Sequence, residues 1–250
     1  QSRPLNPVYP FVFMDCIHYK VREDGRILSR AAYIVLGITA EGYKDILSIT
    51  VGANETSKFW LGMLNDLKNR GLKDVLFFCV DGLVGFKEAI SAVYPQAQIQ
   101  RCVIHMLRNS FKYVNYSDLK KFSNDFKAVY NAPNEAAALS ELEGMKEKWG
   151  KKYPYAISNW ENNWEDVSSF FQFSEEIRRI MYTTNIIEAL NRQYRKVTKT
   201  KSVFPNDQSL EKMLYLASEN ITKKWTQRYR GWDQVLNQLI VLYGERLTQY

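Results

Sequence analysis

FVFMD at residues 11–15 and VLFFCVDG at residues 75–82 are two apolar runs, and each leads into a single aspartate, Asp15 or Asp81. Continuous apolar runs of this kind are typical of strands that are buried on both faces. An ionised carboxylate at the end of such a strand is unfavourable unless a cation compensates its charge. The two aspartates therefore indicate a shared metal ion.

Glu188 is a third acidic candidate, in the stretch NIIEALNRQYRK at residues 185–196. The pattern predicts a helix that begins near Thr183 or Thr184. One stripe of this helix is apolar and faces the core, and it contains Ile187, Leu190, Tyr194 and Val197. A second stripe, rotated by about 100°, contains Glu188, Arg192, Arg195 and Lys199. Two aspartates and a glutamate beside basic side chains suit metal-dependent phosphoryl transfer on nucleic acid.

Each of these residues also has an ordinary structural interpretation. Asp81 followed by Gly82 is a common turn after a strand. Glu188 and Arg192 have the spacing of an ion pair on a solvated helix face. Asp15 fits such an interpretation poorly, because it lies inside an apolar run and needs a buried partner there. The two strand-end aspartates together favour the metal site.

The composition is that of a folded, basic protein. Of the 250 residues, 46% are hydrophobic, which excludes a disordered chain. The formal charge of +7 divides into +3 over residues 1–108, −1 over 109–181 and +5 over 182–250. This basic excess around and after Glu188 suits a polyanionic partner, although a solubilising surface has a similar charge. The candidate DNA contacts are Arg192, Arg195, Lys196, Lys199 and Lys201, with a further basic run at 223–230.

The cellular location follows from what the sequence does not contain. No apolar stretch approaches the roughly 20 residues of a membrane span, and residues 1–4 do not resemble the start of a signal peptide. The three cysteines are odd in number and lie within or beside apolar runs, which argues against a disulfide framework. We therefore predict a cytoplasmic protein without a membrane partner. The first residue is not Met, which indicates a fragment or a processed product.

The order of elements over the first 105 residues predicts the fold class. Three strands come first, at the Asp15 run, at 31–38 and at 45–51, and a helix with an apolar face over 59–67 follows, capped by Thr56 or Ser57. The strand that ends at Asp81, a short helix and a fifth strand near 98–104 complete the series. This is the order of a ribonuclease H-like α/β fold, a mixed sheet flanked by helices. In that topology the first and fourth strands are adjacent and parallel, so Asp15 and Asp81 lie side by side.

Residues 109–181 interrupt this alternation with a helical pattern, in which Leu139, Leu142, Met145 and Trp149 recur at helical spacing. We predict three segments. Residues 1–108 form the first part of the catalytic core, and 109–181 form an inserted all-helical domain. Residues 182–250 complete the core with the Glu188 helix and further C-terminal helices.

A zinc site is a weaker alternative for the metal. Cys16 and His18 together with Cys102 and His105 contain four possible zinc ligands. The fourth strand should separate the first strand from the fifth, however, and strand alternation directs His18 away from Asp15. His105 follows the fifth strand and is retained as a residue near the active site.

Four motifs carry a family resemblance: FMDCIHYK at 13–20, FCVDG at 78–82, QRCVIH at 100–105 and TTNIIEALNR at 183–192. Through them the chain resembles the bacterial Mutator-type insertion-sequence transposases over nearly its whole length, from about residue 9 to about residue 247. The resemblance implies a DDE transposase with a ribonuclease H-like catalytic core. It implies that Asp15, Asp81 and Glu188 are the catalytic, metal-binding triad, and that Cys102 and His105 form a Cys-x2-His element near the active site.

The resemblance further implies Mg²⁺ or Mn²⁺ as the cofactor, with two ions about 4 Å apart. The implied partners are the transposon ends and the target DNA, and the implied assembly is a homo-oligomer, most simply a dimer, at the nucleoid. The reaction nicks DNA at an element's end and joins the freed 3′-hydroxyl to another phosphodiester. Family members also carry an N-terminal region that recognises the ends. The alternatives are a ribonuclease H-like nuclease that does not join strands and a non-catalytic DNA-binding protein derived from a transposase.

Overall fold

The computed structural model describes residues 3–52, 57–82, 85–182 and 185–248. By backbone packing the chain divides into two compact units. One consists of Gln1–Ile99 with Thr184–Tyr250, and the other of Gln100–Thr183. The first unit is therefore discontinuous in sequence, and the second is one continuous segment between its parts.

A five-stranded mixed sheet has the strand order β3-β2-β1-β4-β5. The strands are β1 (Val8–Glu23), β2 (Arg26–Ile38), β3 (Lys44–Gly52), β4 (Asp74–Val80) and β5 (Gln98–Arg101). Strand β1 pairs antiparallel with β2 and parallel with β4. The prediction that the first and fourth strands are adjacent and parallel is confirmed, and the fold is a mixed α/β fold.

Helices make up most of the remaining described residues. In chain order they are α1 (Ser57–Asn69), α2 (Phe86–Val93), α3 (Val103–Phe111), α4 (Tyr116–Tyr130), α5 (Glu135–Trp149), α6 (Pro154–Glu161), α7 (Trp164–Ser168), α8 (Glu175–Met181), α9 (Asn185–Thr198), α10 (Asp207–Thr222) and α11 (Trp232–Thr248), with a 3₁₀ turn at Ser169–Gln172. Helix α11 is interrupted at Tyr243, where φ is −139°. No helix in the described part of the chain is both long and apolar enough to cross a membrane.

The sheet of the first unit has an apolar core on each face. Met14 of β1 belongs to the core that Trp60 of α1 and Phe86 of α2 complete on one face. On the other face Phe11 of β1 contacts Trp232 of α11, with ring centroids 6.2 Å apart. Both faces of β1 are thus covered over its first half, which is why this stretch of the sequence is continuously apolar.

Strands β1 and β2 form a long hairpin with a tight turn at Asp24 and Gly25. Their φ angles of 47° and 76° fit a two-residue type I′ turn, which requires the left-handed region at both positions. Farther along β1, the N–H of Arg22 donates to the carbonyl of Phe204, and the N–H of Phe204 donates to the carbonyl of Lys20, both at 2.8 Å. The segment between α9 and α10 is therefore fixed to β1.

The second unit is helical through its described residues from 109 onwards, in agreement with the helical pattern of the sequence. Its core contains Phe122, Phe126 and Trp160, and the rings of Phe126 and Trp160 lie 4.6 Å apart. The buried indole N–H of Trp160 donates to the hydroxyl of Ser110 at 2.9 Å. The predicted domain limits at residues 108, 109, 181 and 182 stay a prediction.

The structure differs from the sequence-based expectations at the end of the fifth strand and at one position of the helical pattern, Leu139. The fifth strand ends at Arg101 instead of 104, because Cys102 caps α3 by accepting the N–H of His105 at 3.5 Å. Leu139 is 45% exposed, and its neighbour Ala138 occupies the buried position. The predicted cap of α1 at Thr56 or Ser57, and the predicted start of the Glu188 helix at 183 or 184, lie outside the described residues and side chains.

Replacing Arg246 with Ala should lower the free energy of unfolding by about 3 kcal/mol, because a buried ion pair that loses one partner leaves the other charge uncompensated. The Arg246 guanidinium donates two hydrogen bonds of 2.8 Å to the Asp74 carboxylate at the start of β4, and both side chains are mostly buried. Urea unfolding measures the change. The matched control is Asp233→Ala, which removes the 82% exposed partner of Arg228 and should cost less than about 1 kcal/mol. Equal effects for the two variants would contradict the prediction.

Candidate active site

Asp15 lies on β1, and Asp81 follows directly after β4, the parallel neighbour of β1. Met14 of β1 is paired with Val80 of β4, so the two aspartates take the next position in the register. Adjacent strands lie about 4.8 Å apart, and side chains alternate between the two faces of a sheet. Met14 points into the core with α1 and α2. The Asp15 carboxylate therefore leaves the sheet on the opposite face.

The Asp15 carboxylate is held at both oxygens. Its Oδ1 accepts the N–H of Cys16 at 2.8 Å, and its Oδ2 accepts a hydrogen bond of 2.6 Å from Nδ2 of Asn191 on α9. Asn191 is 1% exposed. Asp81 is half-buried, and its Oδ1 accepts the N–H of Gly82 at 2.8 Å. Helix α9 is thereby linked directly to the strand that bears the first aspartate.

Helix α9 packs through one stripe that includes the predicted residues Ile187, Leu190 and Tyr194, all buried. The prediction for Val197 is wrong, because this side chain is 44% exposed and Thr198 takes the last buried position. Thr198 lies four residues after Tyr194, and that spacing keeps it on the same face of the helix.

Glu188 is half-buried in the first turn of α9, three residues before Asn191. Residues three apart lie on the same side of a helix. Since Asn191 contacts Asp15, this spacing directs Glu188 toward the side of α9 that faces β1. The negative charge of Glu188 is also favoured at that end of the helix by the helix dipole.

Within the described ranges, no group of three or more His, Cys, Asp or Glu side chains is arranged to hold a metal ion. Neither the three carboxylates nor the four possible zinc ligands form such a group. Three ionised carboxylates repel one another unless a cation offsets their charge. The chemistry of the carboxylate set nonetheless fits a hard cation, because every donor is an oxygen. The buried Oδ1 of Asn191, which has no hydrogen-bond partner, adds one more oxygen beside Asp15.

Cys102 and His105 lie at the start of α3, in the second unit. Cys102 is buried, and its Sγ caps α3 and contacts the carbonyl of Tyr182 at 3.9 Å. His105 is half-buried. These contacts give the Cys102 side chain a local structural role, and the predicted place of Cys102 and His105 near the carboxylates stays a prediction.

All five candidate DNA contacts are exposed, and they lie on α9 and just after it: Arg192, Arg195, Lys196, Lys199 and Lys201. The ion pairs found among the described residues involve other cations, such as Arg30 and Arg179. Lys201 also lies over the ring of Phe204, 5.9 Å from its centroid. The predicted stripe is therefore accessible to a polyanion.

A groove of about 770 Å³ separates α9 from α10, and four lysines lie along it. Lys196 and Lys201 come from the predicted set. The other two are Lys212 on α10 and Lys224 just after the C-terminal end of α10. None of the residues that line the groove is acidic. Sequence reasoning missed Lys212, because its membership of this surface depends on the packing of α10 against α9.

Sequence reasoning also gave Asn191 no role of its own. One signal was available: Asn191 lies four residues after Ile187 and three before Tyr194, so it is a polar residue on the buried face of a predicted amphipathic helix. A buried amide needs hydrogen-bond partners. The pattern therefore indicated a polar contact without identifying Asp15, which is 176 positions away.

The fold and the site together define an α/β protein with acidic residues at adjacent strand ends and a basic helix beside them. The sequence model of the Mutator family of transposases matches residues 1–228. The chain belongs to this family.

Relatives named as transposases of insertion sequence elements are similar along most of this chain. The transposase for insertion sequence element ISRM3 of Rhizobium meliloti (strain 1021) is 43% identical over 247 residues, which are 98% of this chain and 62% of the relative. A probable transposase for an insertion sequence element of Corynebacterium diphtheriae is 35% identical over 270 residues, which cover 100% of this chain and 79% of the relative. The chain thus spans about three fifths of the ISRM3 transposase.

One solved structure is also similar in part. It is the simian T-cell lymphotropic virus intasome in complex with PP2A regulatory subunit B56 gamma, studied by cryo-electron microscopy. The match covers 64% of this chain and 50% of that chain at 16% identity, with a TM-score of 0.28. At that score the likeness carries no argument about this fold.

Raising the pH above 10 should weaken the attachment of α9 through Tyr194. Burial raises the pKa of Tyr194 to about 12, while its hydrogen bond with Ser218 acts in the opposite direction. The pKa of an unfolded tyrosine is about 10. Stability from the neutral phenol is therefore complete below pH 10 and is lost as the pH rises toward 12, with a slope of up to about 1.4 kcal/mol per pH unit.

The measurement is urea unfolding between pH 9 and pH 12 for the wild type and for Tyr194→Phe. The variant should show a shallower loss of stability, because phenylalanine has no proton to release. Tyr116→Phe serves as the control, since Tyr116 is 92% exposed and its side chain meets water in both states. Parallel curves for the wild type and Tyr194→Phe would show that another group causes the alkaline loss.

Proposed function

We propose that this chain is the catalytic region of a DDE transposase, which cleaves DNA at the ends of an insertion sequence and transfers the strand through a 3′-hydroxyl. The observation that carries the proposal is the parallel pairing of β1 with β4, which ends at Val80 opposite Met14 and is followed directly by Asp81, with α9 bound to Asp15 through Asn191. Glu188 lies one helical turn from that contact. Membership of the Mutator transposase family supports the same function.

The strand order supports a ribonuclease H-like core. Three antiparallel strands are followed by α1, by β4 parallel to β1, and by α2 and β5. The continuous unit Gln100–Thr183, whose regular elements are helical apart from the end of β5, supports an inserted helical domain before the helix that bears Glu188. In this proposal residues 109–181 are the insertion, and residues 182–250 complete the core.

Asp15, Asp81 and Glu188 would hold the cofactor, Mg²⁺ or Mn²⁺, as two ions. When bound, such ions activate the attacking oxygen and stabilise the leaving oxygen of a phosphodiester. The chain's own residues hold and orient the site: the Cys16 N–H and the Asn191 amide fix both oxygens of Asp15, and Ile187, Leu190 and Tyr194 hold α9 against the core. No side chain of this set is required to form a covalent bond with DNA.

The cations of α9 would bind the phosphates of the transposon end or of the target DNA. Arg192, Arg195 and Lys199 continue the stripe that begins with Glu188, and Lys196 and Lys201 face the groove beside α10. In this proposal Cys102 and His105 lie near the active site, and the protein acts as a homo-oligomer, most simply a dimer, on DNA in the cytoplasm.

Replacement of Asp15, Asp81 or Glu188 by Ala should abolish strand cleavage and joining, because each change removes an oxygen ligand. The expected loss exceeds the roughly 100-fold that follows from losing a residue which only supports a metal ligand. The assay incubates the gene product that contains this chain with labelled DNA from the ends of its element and Mg²⁺ or Mn²⁺. Products are separated into nicked and joined strands.

The control for this assay is Asp66→Ala, an exposed acidic residue of α1 that pairs with Arg70 away from the strand ends. This variant should keep its activity. Near wild-type activity of Glu188→Ala would remove the triad assignment. Hydrolysis without joining by the wild type would identify a nuclease, and metal-independent binding without cleavage would identify a non-catalytic DNA-binding protein.

Arg192→Ala, Arg195→Ala and Lys199→Ala should each weaken DNA binding and reduce the slope of log K against log salt by about one unit, because each removes a phosphate contact. Stability should hardly change, since the three side chains are exposed. Fluorescence anisotropy with duplex DNA at several salt concentrations measures both quantities. The control is Lys120→Ala on α4, an exposed cation of the second unit. A triple variant with wild-type affinity and slope would show that the stripe is an ordinary solvated helix face.

A further inference from the structure

Asn191 is a buried side chain whose amide nitrogen has a hydrogen-bond partner and whose amide oxygen has none. Its Nδ2 donates to Oδ2 of Asp15 at 2.6 Å. Its Oδ1 is buried and accepts no hydrogen bond. The assignment of nitrogen and oxygen follows from the chemistry of Asp15, because an ionised carboxylate only accepts hydrogen bonds and must therefore face the amide nitrogen.

Gln100 shows what a fully structural buried amide looks like in this protein. Its Nε2 donates to the carbonyls of Arg101 and Val167 at 2.8 and 3.0 Å, and its Oε1 accepts the hydroxyl of Ser169 at 2.7 Å. Both the nitrogen and the oxygen of that amide have hydrogen-bond partners. Asn191 differs, because its acceptor is left over beside a carboxylate, and an unsatisfied buried polar group in a folded protein calls for an explanation such as a functional role or a bound ion or water.

We propose that Asn191 is a positioning residue of the active site: it fixes the orientation of Asp15, couples the Glu188 helix to β1, and thereby sets the affinity of the site for a divalent cation. The inference rests on the proposed function, since it presupposes that Asp15 and Glu188 bind a cation. It adds a residue that acts through Asp15 and that carries no charge of its own.

The physical reason lies in the geometry of α9 and β1. Asp15 is on a strand and Glu188 is on a helix, so their relative position depends on how the helix is fixed to the sheet. The Asn191 amide makes that connection one turn from Glu188 and at the Asp15 carboxylate itself. The side-chain oxygen of Asn191 then lies beside the carboxylates, where a hard cation or its hydration shell supplies the partner that it lacks.

Loss of the amide should weaken cation binding by about 10- to 100-fold, the usual effect of removing a group that orients a metal ligand. The experiment measures the Mn²⁺-dependent rise in the melting temperature of the 250-residue chain, without DNA, over a range of Mn²⁺ concentrations. The variants are Asn191→Ala and Asn191→Leu, of which the second fills the volume of the amide without its hydrogen bonds.

Ser110→Ala is the matched control. Ser110 is fully buried in the second unit, and the variant loses the hydrogen bond of 2.9 Å that Ser110 accepts from the indole N–H of Trp160. It should lower the melting temperature in the absence of Mn²⁺ but keep the wild-type Mn²⁺ affinity. A role of Asn191 in packing alone would make its variants behave in the same way as this control.

Exchanging the carboxylate and the amide between positions 15 and 191 separates the effect of their hydrogen bond on stability from its effect on cation binding. Asp15→Asn combined with Asn191→Asp restores a hydrogen bond between strand and helix with the donor and acceptor reversed. This double variant should recover the metal-free melting temperature lost in Asn191→Ala, but its Mn²⁺ affinity should stay at least about 10-fold below that of the wild type, because the carboxylate has moved from the strand to the helix.

Three results would overturn the inference. Wild-type Mn²⁺ affinity in Asn191→Leu would make the amide purely structural. Wild-type affinity in the exchanged pair would show that any carboxylate in this contact suffices. Absence of Mn²⁺ binding by the wild type would remove the proposed metal site itself, and that outcome is distinct because it does not depend on Asn191.

Discussion

The in-register parallel pairing of β1 with β4 is the interaction on which the site depends. Met14 lies opposite Val80, so Asp15 and the residue after β4, Asp81, follow at the same level. A shift of one residue in this pairing would move them apart by about 3.3 Å along the strands. Both faces of β1 are buried over this stretch, so such a shift would also exchange side chains of different volume between two packed cores.

A second constraint is the return of the chain to the first unit through α9. The helix is attached at several points along its length: the Asn191 amide binds Asp15, the Tyr194 hydroxyl lies 2.7 Å from that of Ser218, and the segment after the helix joins β1 through the backbone of Phe204. Such an arrangement fixes both the rotation and the height of the helix. The position of Glu188 therefore depends on contacts that lie farther along the same helix, and not only on its own side chain.

The sequence was informative where local patterns decide the structure. Apolar runs and the order of elements were enough to predict the sheet and the adjacency of β1 and β4, because both follow from burial and topology. The polar second half of β1 has no such pattern, and its pairing with β2 becomes visible only in the structure. The early end of β5 depends on the cap at Cys102. The contact of Asn191 with Asp15 joins positions 176 residues apart, which no local pattern can specify.

The acidic residue of α9 lies near the start of the helix and its basic residues lie toward the end. Glu188 lies in the first turn and Arg195 and Lys196 in the last, which agrees with the direction of the helix dipole. The dipole favours each such charge by less than about 1 kcal/mol at an exposed site, so it accounts for the sign of the charges and not for their number. Three exposed cations on the helix, followed directly by Lys199, exceed what its single glutamate requires.

In the proposed function, the additional cations bind DNA phosphates at a distance from the carboxylates. Glu188 and Lys199 are separated by about 16 Å along the helix axis, and one nucleotide advances a strand by about 3.4 Å. The last cations of α9 would therefore meet phosphates roughly five nucleotides away from the bond that is cut. At that distance they contribute nothing to the chemistry of the phosphoryl group, and their effect is to hold the DNA in place against carboxylates that the same helix helps to position.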